Sequence, residues 1–193
     1  MPATKYLPVS WNEYHTLAQS LAAKILKSQE SFDEIVAIAR GGLTLGHLLS
    51  DFLAIPVSTI TIQSYTDIQK QGELKITGRL TKPIRQKSIL LVDDVADSGK
   101  TLNRATVYLK RFHPKAIITA TMFYKPHSVF RPDHYVKRTS KWILFPYEPA
   151  EMIRLISSSL AKEGKSQEAI HVFLSTLNYT ENQIRFVQRY YQP

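Results

Sequence analysis

The chain of 193 residues contains no cysteine. That absence excludes disulfide bonds, thiolate catalysis and cysteine-ligated zinc. The six histidines are scattered without ligand spacing, so a histidine metal centre has no support either. No apolar run reaches the roughly 18 residues of a membrane span, and the polar start Met1–Lys5 lacks the apolar core of a signal peptide. A cytoplasmic protein with no membrane partner is expected. Acids are the scarcer charge, 16 Asp and Glu against 25 Lys and Arg, which leaves a net charge of +9 and favours anionic partners. No repeat and no low-complexity segment interrupts the chain.

What is present is ordinary in bulk and unusual in one place. Hydrophobic residues make up 44% and charged residues 21%, the balance of a soluble globular protein able to build a sizeable core. The length suits one domain with a modest appendage. From Lys100 to Trp142 ten Lys or Arg accompany the single acid Asp133. Such a stripe suits nucleic acid or small multiply charged phosphates. No nucleic-acid module pattern accompanies it, so small phosphates are expected and nucleic acid is not.

Alternating elements define the fold class. Ser10-Trp11-Asn12-Glu13 is a capping box, with Leu17, Leu21 and Ile25 at helical spacing behind it. Glu34 to Ala39 predicts a buried strand, broken by Arg40-Gly41-Gly42 before an apolar helix from Leu43 to Leu53. Pro56 precedes a β-branched strand, Val57 to Gln63, and the polar stretch Ser64 to Pro83 predicts a long mobile excursion. A strand from Ile89, a helix to about Phe112 and a strand from Ile117 to Tyr124 follow. The expectation is an α/β protein with a mainly parallel sheet flanked by helices, its ligands bound beyond the carboxyl ends of the strands. Arg40, Ser64, Asp93 and Lys125 each fall at such an end. After Tyr147 the pattern turns helical, over about 150–162, 166–177 and 181–191, with a Thr180 to Gln183 capping box opening the last.

The unusual place is Ile89 to Thr101, where an apolar strand meets Asp93, Asp94 and Asp97 and then Ser98-Gly99-Lys100-Thr101. Strand alternation sends the carboxylates of Asp93 and Asp94 to opposite sides, so one faces a ligand while the other braces the site. The turn offers N–H groups, hydroxyls and an ammonium at a helix start, which suits a phosphate. A nucleoside-triphosphate P-loop fails because the earlier glycine is missing at the required spacing.

This string resembles the phosphoribosyl-pyrophosphate (PRPP) motif of type I phosphoribosyltransferases, a resemblance that covers about residues 34–148, and Lys125-Pro126 with Trp142-Ile143-Leu144-Phe145-Pro146-Tyr147-Glu148 resembles the hood of the xanthine-guanine (6-oxopurine) members. The resemblance implies the type I phosphoribosyltransferase fold, with residues 1–148 as core and small hood and 149–193 as a helical C-terminal extension. It implies that Asp93 and Asp94 hold the ribose hydroxyls and position Mg²⁺ through water, and that Ala96, Asp97, Ser98, Gly99, Lys100 and Thr101 line the 5′-phosphate side. Arg40-Gly41-Gly42 matches the pyrophosphate loop, which in the family often contains a non-proline cis peptide. Ser64-Tyr65 matches the catalytic flexible loop, with Lys75 a further charge there. Asp97 would take the N7 proton of the base, Lys125 would donate to its 6-oxygen, Trp142 would stack on its face, and backbone around Ile143 would meet its 2-substituent. A homo-oligomer is also implied by likeness.

The activity so implied is transfer of phosphoribose from PRPP to guanine, xanthine or hypoxanthine, yielding a nucleoside monophosphate and pyrophosphate in purine salvage. A non-catalytic PRPP-sensing regulator that binds nucleic acid, or a transferase for another nucleobase, is the rival. A sensor needs no base clamp, and Lys125 disfavours adenine or a pyrimidine. His127 and His134, in the presumed hood, are expected to serve the surface or packing.

Overall fold

The computed structural model describes residues 5–67 and 70–191, with side chains described outside residues 64–73. Its elements in chain order are β1 (Tyr6–Pro8), α1 (Trp11–Lys27), β2 (Glu34–Ala39), α2 (Gly42–Leu53), β3 (Val57–Asp67), β4 (Lys70–Gly78), β5 (Ser88–Ala96), α3 (Lys100–Lys110), β6 (Ala116–Tyr124), β7 (His134–Arg138), β8 (Trp142–Leu144), α4 (Pro149–Lys162), α5 (Gln167–Thr176) and α6 (Glu181–Tyr190). They divide between two compact units, one of residues 15–140 and the other of residues 1–14 with 141–193.

The first unit holds a six-stranded sheet in the order β4-β3-β2-β5-β6-β7. Its five neighbours from β3 to β7 are parallel, and β4 lies antiparallel on the edge. β2 and β5 are the pair from which the chain winds outward in both directions, so their carboxyl ends frame the crevice where α/β sheets bind ligands. Both strands are continuous apolar runs because both faces of the sheet are covered. Val36, Ile38, Ile89 and Leu91 are buried on one side with Leu102, Ala105 and Leu109 of α3, and each fully buried Leu or Ile contributes about 1.5–3 kcal/mol. That burial holds the acidic end of β5 in place.

Two expectations are corrected here. Ser64 to Pro83 is not an irregular excursion: β3 runs on to Asp67 and the chain returns as β4, pairing Gln63 with Lys75 and Tyr65 with Glu73. Leu74 and Ile76 alternate with polar neighbours and pack against the core, a two-residue period too short to stand out in a polar stretch. Likewise Asp93 and Asp94 lie inside β5 rather than past it, since the strand continues beside β6 to Ala96. β7 was not anticipated. Asp133 secures its start by accepting from the Thr119 backbone N–H at 2.8 Å and hydroxyl at 2.7 Å.

In the second unit β1 pairs in parallel with β8. Tyr14 of α1 is fully buried in edge contact with Phe145 and Tyr147. α4, α5 and α6 pack through Met152, Ile156, Leu160, Ile170, Leu174, Ile184 and Val187, and Thr180 and Gln183 form the expected capping box. Among the described residues no helix is long and apolar enough to cross a membrane.

Candidate active site

The end of β2 supplies the first wall. Gly41 and Gly42 follow the cis Ala39–Arg40 peptide and press against β5: a Cβ on Gly41 would collide with the Asp94 carboxylate, and one on Gly42 would lie 2.6 Å from the Val92 carbonyl oxygen. Glycine is required because the loop approaches the acidic strand too closely for any side chain. α2 begins there with no side-chain cap and no acid in its first turn. The Leu43 N–H there donates to the Arg40 carbonyl at 3.1 Å, and the positive dipole end of the helix suits an anion.

The end of β5 supplies the second. The two carboxylates are not sent apart as alternation predicts: Asp93 is 8% exposed and accepts from the Asp94 N–H at 3.1 Å, Asp94 is half-buried beside Gly41 and accepts from the Val95 N–H, and the two side chains meet in a hydrogen bond. Burial, and then the neighbouring Asp94 charge, push the Asp93 carboxyl well above the ordinary carboxylate value. Asp93 is the buried member of the pair, and Asp94 lies against Gly41 at the end of β2. Gly99 follows with φ 78°, the left-handed conformation that only glycine adopts freely, and it opens α3 without a side-chain cap or an acid in the first turn. Ser98, Lys100 and Thr101 surround that start, and the Lys100 N–H donates to the Ser98 hydroxyl at 3.4 Å.

The buried Asp93 sets a stability test. Its folded pKa lies above its unfolded value, so its contribution is fully present below the unfolded pKa and is lost as pH rises through the folded one. The ligand-free Asp93→Asn protein should melt about 2–5 °C above the parent at neutral pH, with the advantage vanishing toward about pH 4. Melting curves across that range check this. A lower midpoint for the variant at neutral pH contradicts it.

The segment after β6 forms the third wall. Lys125 is 6% exposed; burial lowers its pKa, opposed by the charge of Asp97. Its N–H donates to the Ala96 carbonyl at 3.0 Å, and the Val129 N–H donates to the Ser98 carbonyl at 3.0 Å. These two bonds straddle Asp97. Between them His127 Nε2 lies 2.9 Å from Asp97 Oδ1. Sequence reasoning assigned His127 to surface or packing and missed this pairing; the only signal was its spacing of two from Lys125. His134 pairs instead with Glu30 at 2.7 Å.

The structure thus brings Arg40 to Gly42, Asp93 to Thr101 and Lys125 to one edge of one sheet. Ser64 and Tyr65 stand near the end of β3, at the same carboxyl side of the sheet, and their side chains lie outside the described residues. Trp142 and Ile143 belong to the second unit, where β8 leaves the indole 59% exposed and buries Ile143. An exposed indole is available for stacking, and a buried one is not.

Two glycine-lined helix starts flank a pair of acids at the carboxyl ends of β2 and β5 in a mainly parallel α/β sheet, the place where such sheets bind ligands. The chain belongs to the phosphoribosyltransferase family: the phosphoribosyl transferase domain model matches residues 10–152. It is 30% identical over 151 residues to the xanthine-guanine phosphoribosyltransferase of Gluconobacter oxydans, spanning 76% of this chain and 87% of that protein. Among solved structures it is similar to a purine phosphoribosyltransferase from Pyrococcus horikoshii, with TM-score 0.68 and 34% identity over 75% of this chain and 95% of that one. The xanthine-guanine-hypoxanthine phosphoribosyltransferase of Helicobacter pylori shares the fold, with TM-score 0.65 and 24% identity over 79% and 99% of the two chains.

Proposed function

We propose that this protein transfers the 5-phosphoribosyl group of PRPP to a 6-oxopurine, releasing pyrophosphate and a nucleoside monophosphate for purine salvage. The observation that carries the reading is Lys125, a buried lysine whose ammonium acts on Asp97, in a turn bonded to the end of β5. A donor fixed there satisfies an exocyclic 6-oxygen and leaves the amino group of adenine unpaired. The names of the Gluconobacter and Pyrococcus relatives agree with a purine substrate.

In this reading the α3 start, Ser98 to Thr101, holds the 5′-phosphate, Asp94 holds the ribose diol with Asp93 behind it, and the Arg40 to Gly42 loop holds the pyrophosphate. Purine N9 then bonds to C1′ as the C1′–oxygen bond breaks, its electron pair leaves with pyrophosphate, and the N7 proton passes to Asp97. Ser64 and Tyr65 would close over the reacting centre and exclude water, and Trp142 would stack on the purine while backbone at Ile143 meets position 2.

Phosphoribosyltransferases generally use Mg²⁺ with PRPP, and the donor set here fits it. The adjacent carboxyl groups of Asp93 and Asp94 at the end of β5 suit an ion that keeps its waters and takes few carboxylates; Asp94 and Asp93 would hold it through water. When bound, the ion neutralises charge developing on the leaving pyrophosphate.

The test supplies PRPP, Mg²⁺ and guanine, xanthine, hypoxanthine, adenine or uracil separately, and records pyrophosphate release. Release with at least one 6-oxopurine and none with adenine or uracil is expected. Preference for adenine or uracil would remove the base assignment, and PRPP binding without turnover on any base would favour the sensor.

A further inference from the structure

We infer that His127 is a positioning residue for Asp97, fixing the carboxylate that receives the purine N7 proton. The inference rests on the transferase reading above and adds to it a group from outside the residues that the phosphoribosyltransferase resemblance assigns.

The geometry is more than two surface side chains meeting. Asp97 sits at the centre of three consecutive residues whose outer members, Ala96 and Ser98, each accept a backbone hydrogen bond from the opposing turn, at Lys125 and Val129. His127 is the midpoint of that turn, so its imidazole is delivered to Asp97 by backbone pairing on both sides. The turn itself is held: the Ser128 N–H donates to the Lys125 carbonyl at 3.0 Å, and the Ser128 hydroxyl donates to the Phe130 carbonyl at 2.9 Å. Gly99 permits this contact, because a Cβ there would lie 2.6 Å from the Phe130 nitrogen.

An ionised carboxylate only accepts, so the imidazole must carry its proton on Nε2 and donate to Oδ1. That bond occupies one carboxylate oxygen and leaves Oδ2 for the incoming N7–H. Lys125 acts on Asp97 through the charge of its ammonium, so the hydrogen bond from His127 is the contact that fixes the carboxylate's orientation. Without His127 the exposed Asp97 side chain, 64% accessible, would sample several rotamers, and a proton acceptor displaced from its line of transfer loses rate rather than substrate affinity.

Kinetics with guanine and saturating Mg²⁺ test this on four proteins besides the parent: His127→Ala, His127→Gln, Asp97→Asn, and His127→Ala combined with Asp97→Asn. His127→Ala should lower kcat about tenfold, the scale of one charge-assisted hydrogen bond, with KM for PRPP within about twofold. His127→Gln, which presents an N–H at similar reach, should recover most of the loss. In the Asp97→Asn background His127→Ala should change kcat less than about twofold, because the group it positions has lost its role. Unchanged kcat in His127→Ala, no recovery in His127→Gln, or full multiplication of the two losses would each overturn the inference while leaving the transferase reading standing. A parent protein that turns over no purine would remove that reading, and this inference with it.

Discussion

Asp97→Asn is expected to lower kcat with a 6-oxopurine by about 10²- to 10³-fold, the range of a lost general base, while KM for PRPP stays within about twofold. The amide keeps the shape of the carboxylate and an acceptor for His127, so the change is confined to the ability to take a proton. Asp97 borders the proposed phosphate site, but the N–H groups and hydroxyls of Ser98 to Thr101 are untouched by the substitution, so the sugar and its phosphates keep those contacts. Its role exists only while the base is reacting, which places the loss in turnover. Steady-state kinetics with varied PRPP and then varied purine separate the two effects. A parallel loss in PRPP affinity would show that Asp97 holds the sugar phosphate instead.

Lys125→Ala is expected to lower kcat/KM for guanine, xanthine and hypoxanthine by about 10²-fold, with PRPP binding in the absence of base retained. Lys125 is 6% exposed as a residue, so truncation removes the proposed donor to the 6-oxygen and the ammonium whose charge acts on Asp97. Burial disfavours that ammonium, and Lys125→Met, which keeps the aliphatic volume, should melt no earlier than the parent. A Lys125→Met protein that is stable, binds PRPP and fails on 6-oxopurines isolates base recognition from folding. Unchanged kinetics with guanine would remove the lysine from the base site.

The legible parts of this molecule are those with strong local period or strict order. β2 and the start of β5 were visible as short apolar runs bounded by breakers, and the tail helices as apolar stripes behind caps. The PRPP string was visible because its acids, glycine and hydroxyls are consecutive. β4 was not, since the pattern of Leu74 and Ile76 spans too few residues to register amid polar neighbours. β7 was missed for a related reason: a five-residue strand with a half-buried, basic pattern carries no apolar alternation. His127 was beyond reach because its partner lies 30 residues away, brought near by the crossover from β5 to β6 and by backbone bonds that any sequence could make. Local chemistry sets where charge and glycine fall, and the register of distant strands decides which of them meet.

The most direct measurement is a crystal structure with guanosine 5′-monophosphate bound. The account predicts phosphate on the N–H groups of Ser98 to Thr101, the ribose diol against Asp94, the 6-oxygen within hydrogen-bond reach of Lys125 Nζ, and N7 facing Asp97. A nucleotide lying elsewhere, or seated with its base away from Lys125 and Asp97, would contradict it.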